Sequence, residues 1–286
     1  MMQAADARGA DARLLRRGGL GLGWAVAAGG LIILFWMFVI VTIDLWSPYD
    51  PLRKAGPRLV PPGAAHWLGT DTLGRDVLTR TLYGARQSLP IAVAVVVASA
   101  LIGTALGALA GFVRGLASSA LMRLVDVTMS IPPMILAMAI TASLGPGLFN
   151  AAIAMILVTW PLYARLMHSQ VLAVREMEHV EAAVAGGATR ARLILRHILP
   201  LCMTPVFVNA TMDLGQITLL AASLSFIGLG ASPPTPEWGS MITDGATRFY
   251  EWWVALGPGL AILSVVLGFS FMGDGLRDLL DPRSRP

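Results

Sequence analysis

Two aspartates, four histidines and one cysteine are the side chains that chemistry would draw on in a chain that is otherwise mostly apolar. Asp126 and Asp213 both fall in or beside apolar runs. An ionised carboxylate at the centre of a membrane span costs about 2.5–3.5 kcal/mol on insertion scales, so each needs a partner or a purpose. Asp126 follows Arg123 by three residues near the edge of its run, which fits an i, i+3 pair or a contact that snorkels to the interface. Asp213 is deeper in its run, and three roles stand open: lining a pathway, capping a broken helix, or holding two spans together. Asp126 sits too near the edge of its run to form an aspartyl catalytic pair with it. His66, His168, His179 and His197 show no metal-ligand spacing and no HExxH pair. Cys202 stands alone, which excludes an internal disulfide and a cysteine-rich metal site, and it reads as packing. Lys54, the only lysine, follows no glycine-rich loop, so the chain has no phosphate cradle with which to hydrolyse ATP.

The elements that carry these residues are apolar: 56% of the 286 residues are hydrophobic and 13% charged. A soluble domain carries about 25% charged residues. With a mean hydropathy of +0.69, the balance indicates an integral membrane protein. A span needs about 20 mostly apolar residues. Trp24–Ile43, Leu89–Val113, Val127–Leu144, Phe149–Ala164, Leu199–Leu229 and Val254–Met272 supply six, the fourth extending past Arg165. The expected fold is all-α, with six membrane helices and both termini on one side. The first run follows Arg13, Arg16 and Arg17 as a secretory signal would, but it is longer than a signal core and no small-residue cleavage site follows it. It reads as a permanent anchor.

Basic residues set the orientation. With the N-terminus in the cytoplasm, the inner segments hold Arg8, Arg13, Arg16, Arg17, Arg114, Arg123, Arg165, Arg175, Arg190, Arg192, Arg196, Arg277, Arg283 and Arg285. Half as many fall outside: Arg53, Lys54, Arg58, Arg75, Arg80, Arg86 and Arg248. The net charge of +4 is thereby read as membrane orientation and not as nucleic-acid binding.

The stretch EAAVAGGATRARLILRHILP, residues 181–200, then lies in the cytoplasm. Residues 178–185 are good helix formers. Gly186-Gly187 should end that helix, Thr189 should cap a second, and Pro200 suits the first turn of the fifth span. Ala182, Ala183 and Ala185 let a partner surface approach closely, while Glu181, Arg190, Arg192 and Arg196 can pair with its charges. A solvated basic loop lying on lipid headgroups is the competing reading. Pro132-Pro133 should bend the third span. Residues 69–82 read as an amphipathic helix on the outer membrane face, with Thr70 or Asp71 as cap, Leu73, Val77, Leu78, Thr81 and Leu82 as its apolar stripe, and Arg75, Asp76 and Arg80 off it. Residues 225–239, rich in proline and glycine, read either as an outer lip that meets a delivery protein or as a turn anchored at the interface by Trp238.

Glu181-Ala182-Ala183, Gly187 six residues after Glu181, and Ile198-Leu199-Pro200 resemble the EAA loop of ABC importer permeases, whose short coupling helix sits in a cleft of an ATPase subunit. HWLGTDTLGRDVLTRTLYGARQSL (66–89), MRLVDVTMSIPP (122–133), LSFIGLGASPPTPEWG (224–239) and GDGLRDLLDPR (273–283) resemble the C-type permeases of dipeptide, oligopeptide and nickel importers. The resemblance runs in order over residues 20–283. Gly186 departs from it where a larger apolar residue is usual, and His179 where an aromatic is usual, so the apolar knob of the coupling helix is weaker here.

The resemblance implies a permease subunit in an ATP-driven importer of short peptides, with nickel chelates or another small solute as alternatives. It would pair with a B-type permease, two cytoplasmic ATPase subunits that hold ATP and Mg, and an extracytoplasmic substrate-binding protein. The chain itself would bind no cofactor or nucleic acid, and would lie in lipid in the bacterial inner membrane. Its parts would be a cytoplasmic tail (1–20), a first membrane helix (21–45), an extracytoplasmic segment with an interfacial helix (46–85), a five-helix core (86–275) containing the coupling loop (172–200), and a cytoplasmic tail (276–286). Docking would fall to Glu181, Ala182, Ala183, Gly187, Arg190, Arg192, Ile198, Leu199 and Pro200, with Asp126, Pro132, Pro133 and Asp213 at a pathway or gate. An ion-coupled secondary transporter would need ionisable or broken-helix sites near the midplane, for which Asp213 is thin support.

Overall fold

The computed structural model describes residues 2–113 and 115–280, with side chains from residue 24 onward. Arg114, Arg283 and Arg285 lie outside the described residues, as do the side chains of Arg8, Arg13, Arg16 and Arg17. Among the described residues there are ten α-helices, in chain order α1 Met2–Trp46, α2 Val77–Phe112, α3 Leu116–Met129, α4 Pro133–Leu144, α5 Leu148–Val174, α6 Glu178–Ala185, α7 Arg190–Arg192, α8 Leu199–Phe226, α9 Trp238–Ala246 and α10 Trp253–Leu280. A π-helical turn, Leu193–Ile198, joins α7 to α8. Five of these elements contain a stretch long and apolar enough to cross a membrane, and α3 with α4 makes a sixth if the bent pair is counted as one span. The chain is an all-α polytopic membrane protein.

Small residues decide which helices touch. A Cβ on Gly103 would strike the Trp160 carbonyl, and one on Gly107 the Ala164 carbonyl. One on Gly111 would lie 2.8 Å from Val171 Cβ. These three glycines recur every four residues on one face of α2 and let it lie directly on the backbone of α5. Lipid tails are as apolar as leucine, so helices in a membrane associate through this kind of close approach. Gly29 of α1 meets the Gly268 carbonyl of α10 in the same way, a Cβ there falling 2.7 Å away. α1 otherwise leaves Leu31, Leu34, Phe38 and Val41 exposed, as a helix facing hydrocarbon would.

At one end of the bundle the chain between α1 and α2 packs with α9 and the start of α10. Here the structure corrects the expected interfacial helix over 69–82. Residues 69–75 form a tight turn, with Gly69 and Gly74 both at positive φ and the Arg75 N–H donating to Asp71 Oδ1 at 2.9 Å. The helix starts only at Val77, where Asp76 Oδ2 accepts the Thr79 N–H at 2.8 Å as a cap, and it runs unbroken into the second span. At about 1.5 Å per residue it is about 54 Å long, well beyond the hydrocarbon thickness of about 30 Å. Arg75, Asp76 and Arg80 are buried, not on an outward polar face. Their partners explain why: Arg75 Nε lies 2.6 Å from Asp71 Oδ2, Arg80 Nε 3.4 Å from the same oxygen, and His66 Nδ1 2.9 Å from Asp76 Oδ1. Arg80 Nη1 also donates to the Pro51 carbonyl at 2.9 Å.

Trp238, offered above as an interface anchor, is fully buried at the start of α9. Its ring lies edge-on to Trp36 at 5.0 Å, inside the cluster that joins α1, α2 and α10. Glu237 caps α9, its two carboxylate oxygens accepting the Gly239 and Ser240 N–H groups at 2.9 Å each. Burial pushes this carboxyl above its ordinary range, against the pull of those two N–H groups and the Ser225 hydroxyl. Burial likewise raises Asp244 of α9, with Arg75, Arg80 and Arg248 pulling the other way.

Candidate functional site

Two regions gather the residues singled out in the sequence. The first is at the end of the bundle opposite α9. α6 ends as its composition predicts. The Ala188 N–H donates to the Ala183 carbonyl at 3.1 Å and the Gly187 N–H to the Val184 carbonyl at 3.0 Å, with Gly187 at φ +77°. That pair of bonds around a left-handed glycine is a Schellman ending. Thr189 Oγ1 then accepts the Arg192 N–H at 3.4 Å and caps α7. Pro200 has no N–H to continue the helical ladder, and just before it the Leu199 N–H reaches back five residues to Ile194 in the π-helical turn.

This hairpin has a buried keel and an exposed deck. Val180, Leu193 and Ile198 are buried in one apolar cluster with Met167, Val171 and Cys202. Arg175 Nη1 ties the end of α5 to the Gly111 carbonyl at 2.8 Å. Glu181, Ala182, Gly187, Arg190, Arg192 and Pro200 are exposed, whereas Ala183 and Leu199 are half-buried. Ile198, placed with the docking residues in the sequence, thus faces inward and holds the hairpin to the bundle. Glu178 and Glu181 sit in the first turn of α6, where negative charge complements the helix dipole. Gly186 has an ordinary φ of −73°, and a Cβ there would meet only contacts of 3.4 Å and longer.

The second region is a cleft at the broken span. α3 and α4 meet at 93° across residues 130–132. Pro132 is the N-cap of α4 and Pro133 opens it, so the prolines produce the bend expected of them. Beside the bend, α5 and α8 contribute Thr159, Asp213, Gln216 and Ser223 to an open cleft of about 650 Å³, with Thr128 and Pro133 from the broken pair. Asp213 Oδ2 accepts the Tyr163 hydroxyl at 2.6 Å, which joins α8 to α5. Asp126 does not pair with Arg123. It bonds Arg165 of α5, both side chains being well exposed, and neither lines the cleft. Asp126 and Asp213 therefore take separate partners on one helix. Sequence reasoning missed Tyr163, because a single tyrosine in an apolar run carries no spacing signal, and it missed the 103, 107, 111 glycine register, which was legible as a four-residue repeat.

The family described as binding-protein-dependent transport system inner membrane component matches residues 103–286. A probable D,D-dipeptide transport system permease protein of Escherichia coli K12 is 43% identical over 256 residues, 88% of this chain and 86% of that protein. A di/tripeptide transport system permease protein of Pseudomonas aeruginosa is 43% identical over 267 residues, covering 90% and 88%. Among solved structures, the MetNI methionine ABC transporter in inward-facing conformations aligns with a TM-score of 0.58 at 22% identity, over 71% of this chain and 97% of that one, a likeness of fold.

Proposed function

The chain belongs to the family of binding-protein-dependent transport system inner membrane components, and from that premise we propose that it forms half of a translocation path for short peptides and couples that path to cytoplasmic ATPases. The carrying observation is the hairpin 178–199, which presents an exposed alanine-and-glycine deck on a keel packed into the bundle. A loop without that keel would move independently of the spans. Val180, Leu193 and Ile198 instead pack against α5 and the start of α8, so a push on α6 tilts both helices. Docking falls to Glu181, Ala182, Gly187, Arg190 and Arg192, with Ala183 and Leu199 behind them and Pro200 restarting the helix. The names of the similar proteins support peptides as cargo over nickel chelates.

The partners in this reading are a second, B-type permease, two ATPase subunits that carry ATP and Mg, and an extracytoplasmic binding protein. Both termini lie in the cytoplasm of a bacterial cell, and the 47–76 segment with α9 faces the binding protein. Closure of the ATPases drags α6, and the state favoured is the one in which α6 makes the better contacts. The test is reconstitution of the complete complex with its binding protein, followed by ATP hydrolysis with di- and tripeptides, nickel chelates and sugars. Stimulation by peptides is expected. Stimulation only by a non-peptide overturns the assignment of cargo.

A further inference from the structure

The cleft beside the broken span holds one charge and nothing to balance it. Asp213 lines it, and none of the other lining residues is a lysine, arginine or histidine. No ion pair to Asp213 forms among the described residues. The hydrogen bond it receives comes from a neutral group, the Tyr163 hydroxyl at 2.6 Å. Tyr163 is completely buried and Asp213 is 6% exposed. This differs from Asp71, which has Arg75 and Arg80, and Asp76, which has His66, while buried Glu237 accepts two backbone N–H groups at the start of α9. Burying an ionised carboxylate without a counter-charge is costly, and a cation that comes to it offsets that cost. An ionisable side chain in a membrane span that faces a cavity is therefore a place to look for a ligand.

The rest of the lining fits a small polar ligand. Gln216 follows Asp213 by three residues on the same face of α8, and Thr159 precedes Tyr163 by four on the same face of α5. They put an amide within a helical turn of Asp213 and a hydroxyl within a helical turn of Tyr163, and much of the remaining wall is apolar, with Ile131, Leu162 and Leu220. A negative end, neutral hydrogen-bonding groups beside it and apolar walls complement an ammonium followed by peptide amides and side chains. We propose that Asp213 receives the α-ammonium group of a peptide in transit, with Tyr163 as the positioning residue that fixes its carboxylate. The assignment rests on the peptide reading given above and adds which end of the peptide this chain holds.

The test uses the complete reconstituted complex in proteoliposomes at saturating binding protein, with radiolabelled dialanine, whose only cationic group is its α-ammonium. Asp213→Asn removes the charge-assisted hydrogen bond to the ammonium, and it is expected to lower uptake about tenfold or more. Asp213→Glu restores most of it. Tyr163→Phe removes the same bond between α5 and α8 but keeps the carboxylate, and it is expected to retain clearly more uptake than Asp213→Asn. Near-normal dialanine uptake by Asp213→Asn overturns the ammonium assignment and leaves the peptide reading intact. Equal loss in Tyr163→Phe and Asp213→Asn also overturns it, because the carboxylate is then only a tie between helices. A wild-type complex that takes up no peptide instead overturns the peptide reading itself.

Discussion

Trp238 donates its indole N–H to the Thr81 carbonyl at 2.7 Å, across 157 residues of sequence. The bond joins the start of α9 to the first turns of α2, and Gly84 makes room for it, since a Cβ there would lie 2.7 Å from the Trp238 ring. Trp238→Phe keeps a ring against Trp36 but loses the donor. It should lower stability by about 1–3 kcal/mol, and Trp238→Ala by about 3–5 kcal/mol. Thermal melting of the purified protein reads both. An unchanged melting temperature in Trp238→Ala shows that α9 is not held through this side chain.

The glycine register of α2 gives a contrast between sites of one residue type. Gly107→Val places new atoms against the Ala164 carbonyl, which is backbone and has nowhere to go. A loss of at least about 1–3 kcal/mol is expected. Gly30 of α1 has nothing within 4 Å of its would-be Cβ. Gly30→Ala should therefore be neutral or gain up to about 1 kcal/mol from helix propensity. If both variants melt alike, close α2–α5 approach is not what holds the bundle.

These two positions also mark how far the sequence could be read. The spans, the Gly187 ending, the Thr189 cap and the bend at Pro132-Pro133 are local properties, fixed by composition, capping chemistry and the missing proline N–H, and they were legible. The segment 69–82 was not. Its spacing matches an amphipathic helix, but Arg75, Asp76 and Arg80 find Asp71, His66 and the Pro51 carbonyl inside the fold, so residues that periodicity places outward are buried. Trp238 was misplaced for a related reason: a tryptophan beside a span suits an interface until Trp36, two hundred residues away, is known to face it. At the cleft, Asp213 could be singled out from its cost in a membrane, but its partner could not, because Tyr163 is fifty residues distant and unmarked by pattern.

Glu237 supplies a pH dependence with a definite sign. Burial raises its pKa above the ordinary value of 4.5. The folded chain therefore holds this proton to a higher pH than the unfolded chain. The stability it contributes is complete below the unfolded value and is lost as pH rises from there through the folded value. Asp244 is raised too, so the comparison must isolate one group. Melting of the wild type relative to Glu237→Gln should fall as pH is raised from about 4.5 toward neutrality. A constant difference across that window shows that Glu237 does not change its proton affinity on folding.

The hairpin 178–199 offers the most direct separation of coupling from folding, because its two adjacent glycines differ in kind. Gly187 holds φ +77° with open space around it, so any side chain there is strained by conformation and not by a clash. A β-branched residue in that region costs about 1–2 kcal/mol, enough to shift the hairpin between arrangements by about five- to thirtyfold. Gly187→Val should leave the protein in the membrane, since the keel residues Val180, Leu193 and Ile198 are untouched, yet it should lower peptide uptake by about that factor. Glu181→Lys should act in the same direction by reversing an exposed charge on α6 and removing a favourable one from its first turn. Gly186→Leu should be harmless or beneficial. Its backbone is ordinary, its Cβ has room, and it adds apolar surface to the exposed deck. The measurements are co-purification of the ATPases and uptake per ATP hydrolysed. If Gly187→Val and Glu181→Lys co-purify with the ATPases and transport at the wild-type ratio, α6 does not carry the coupling, and the hairpin is a solvated loop at the membrane surface.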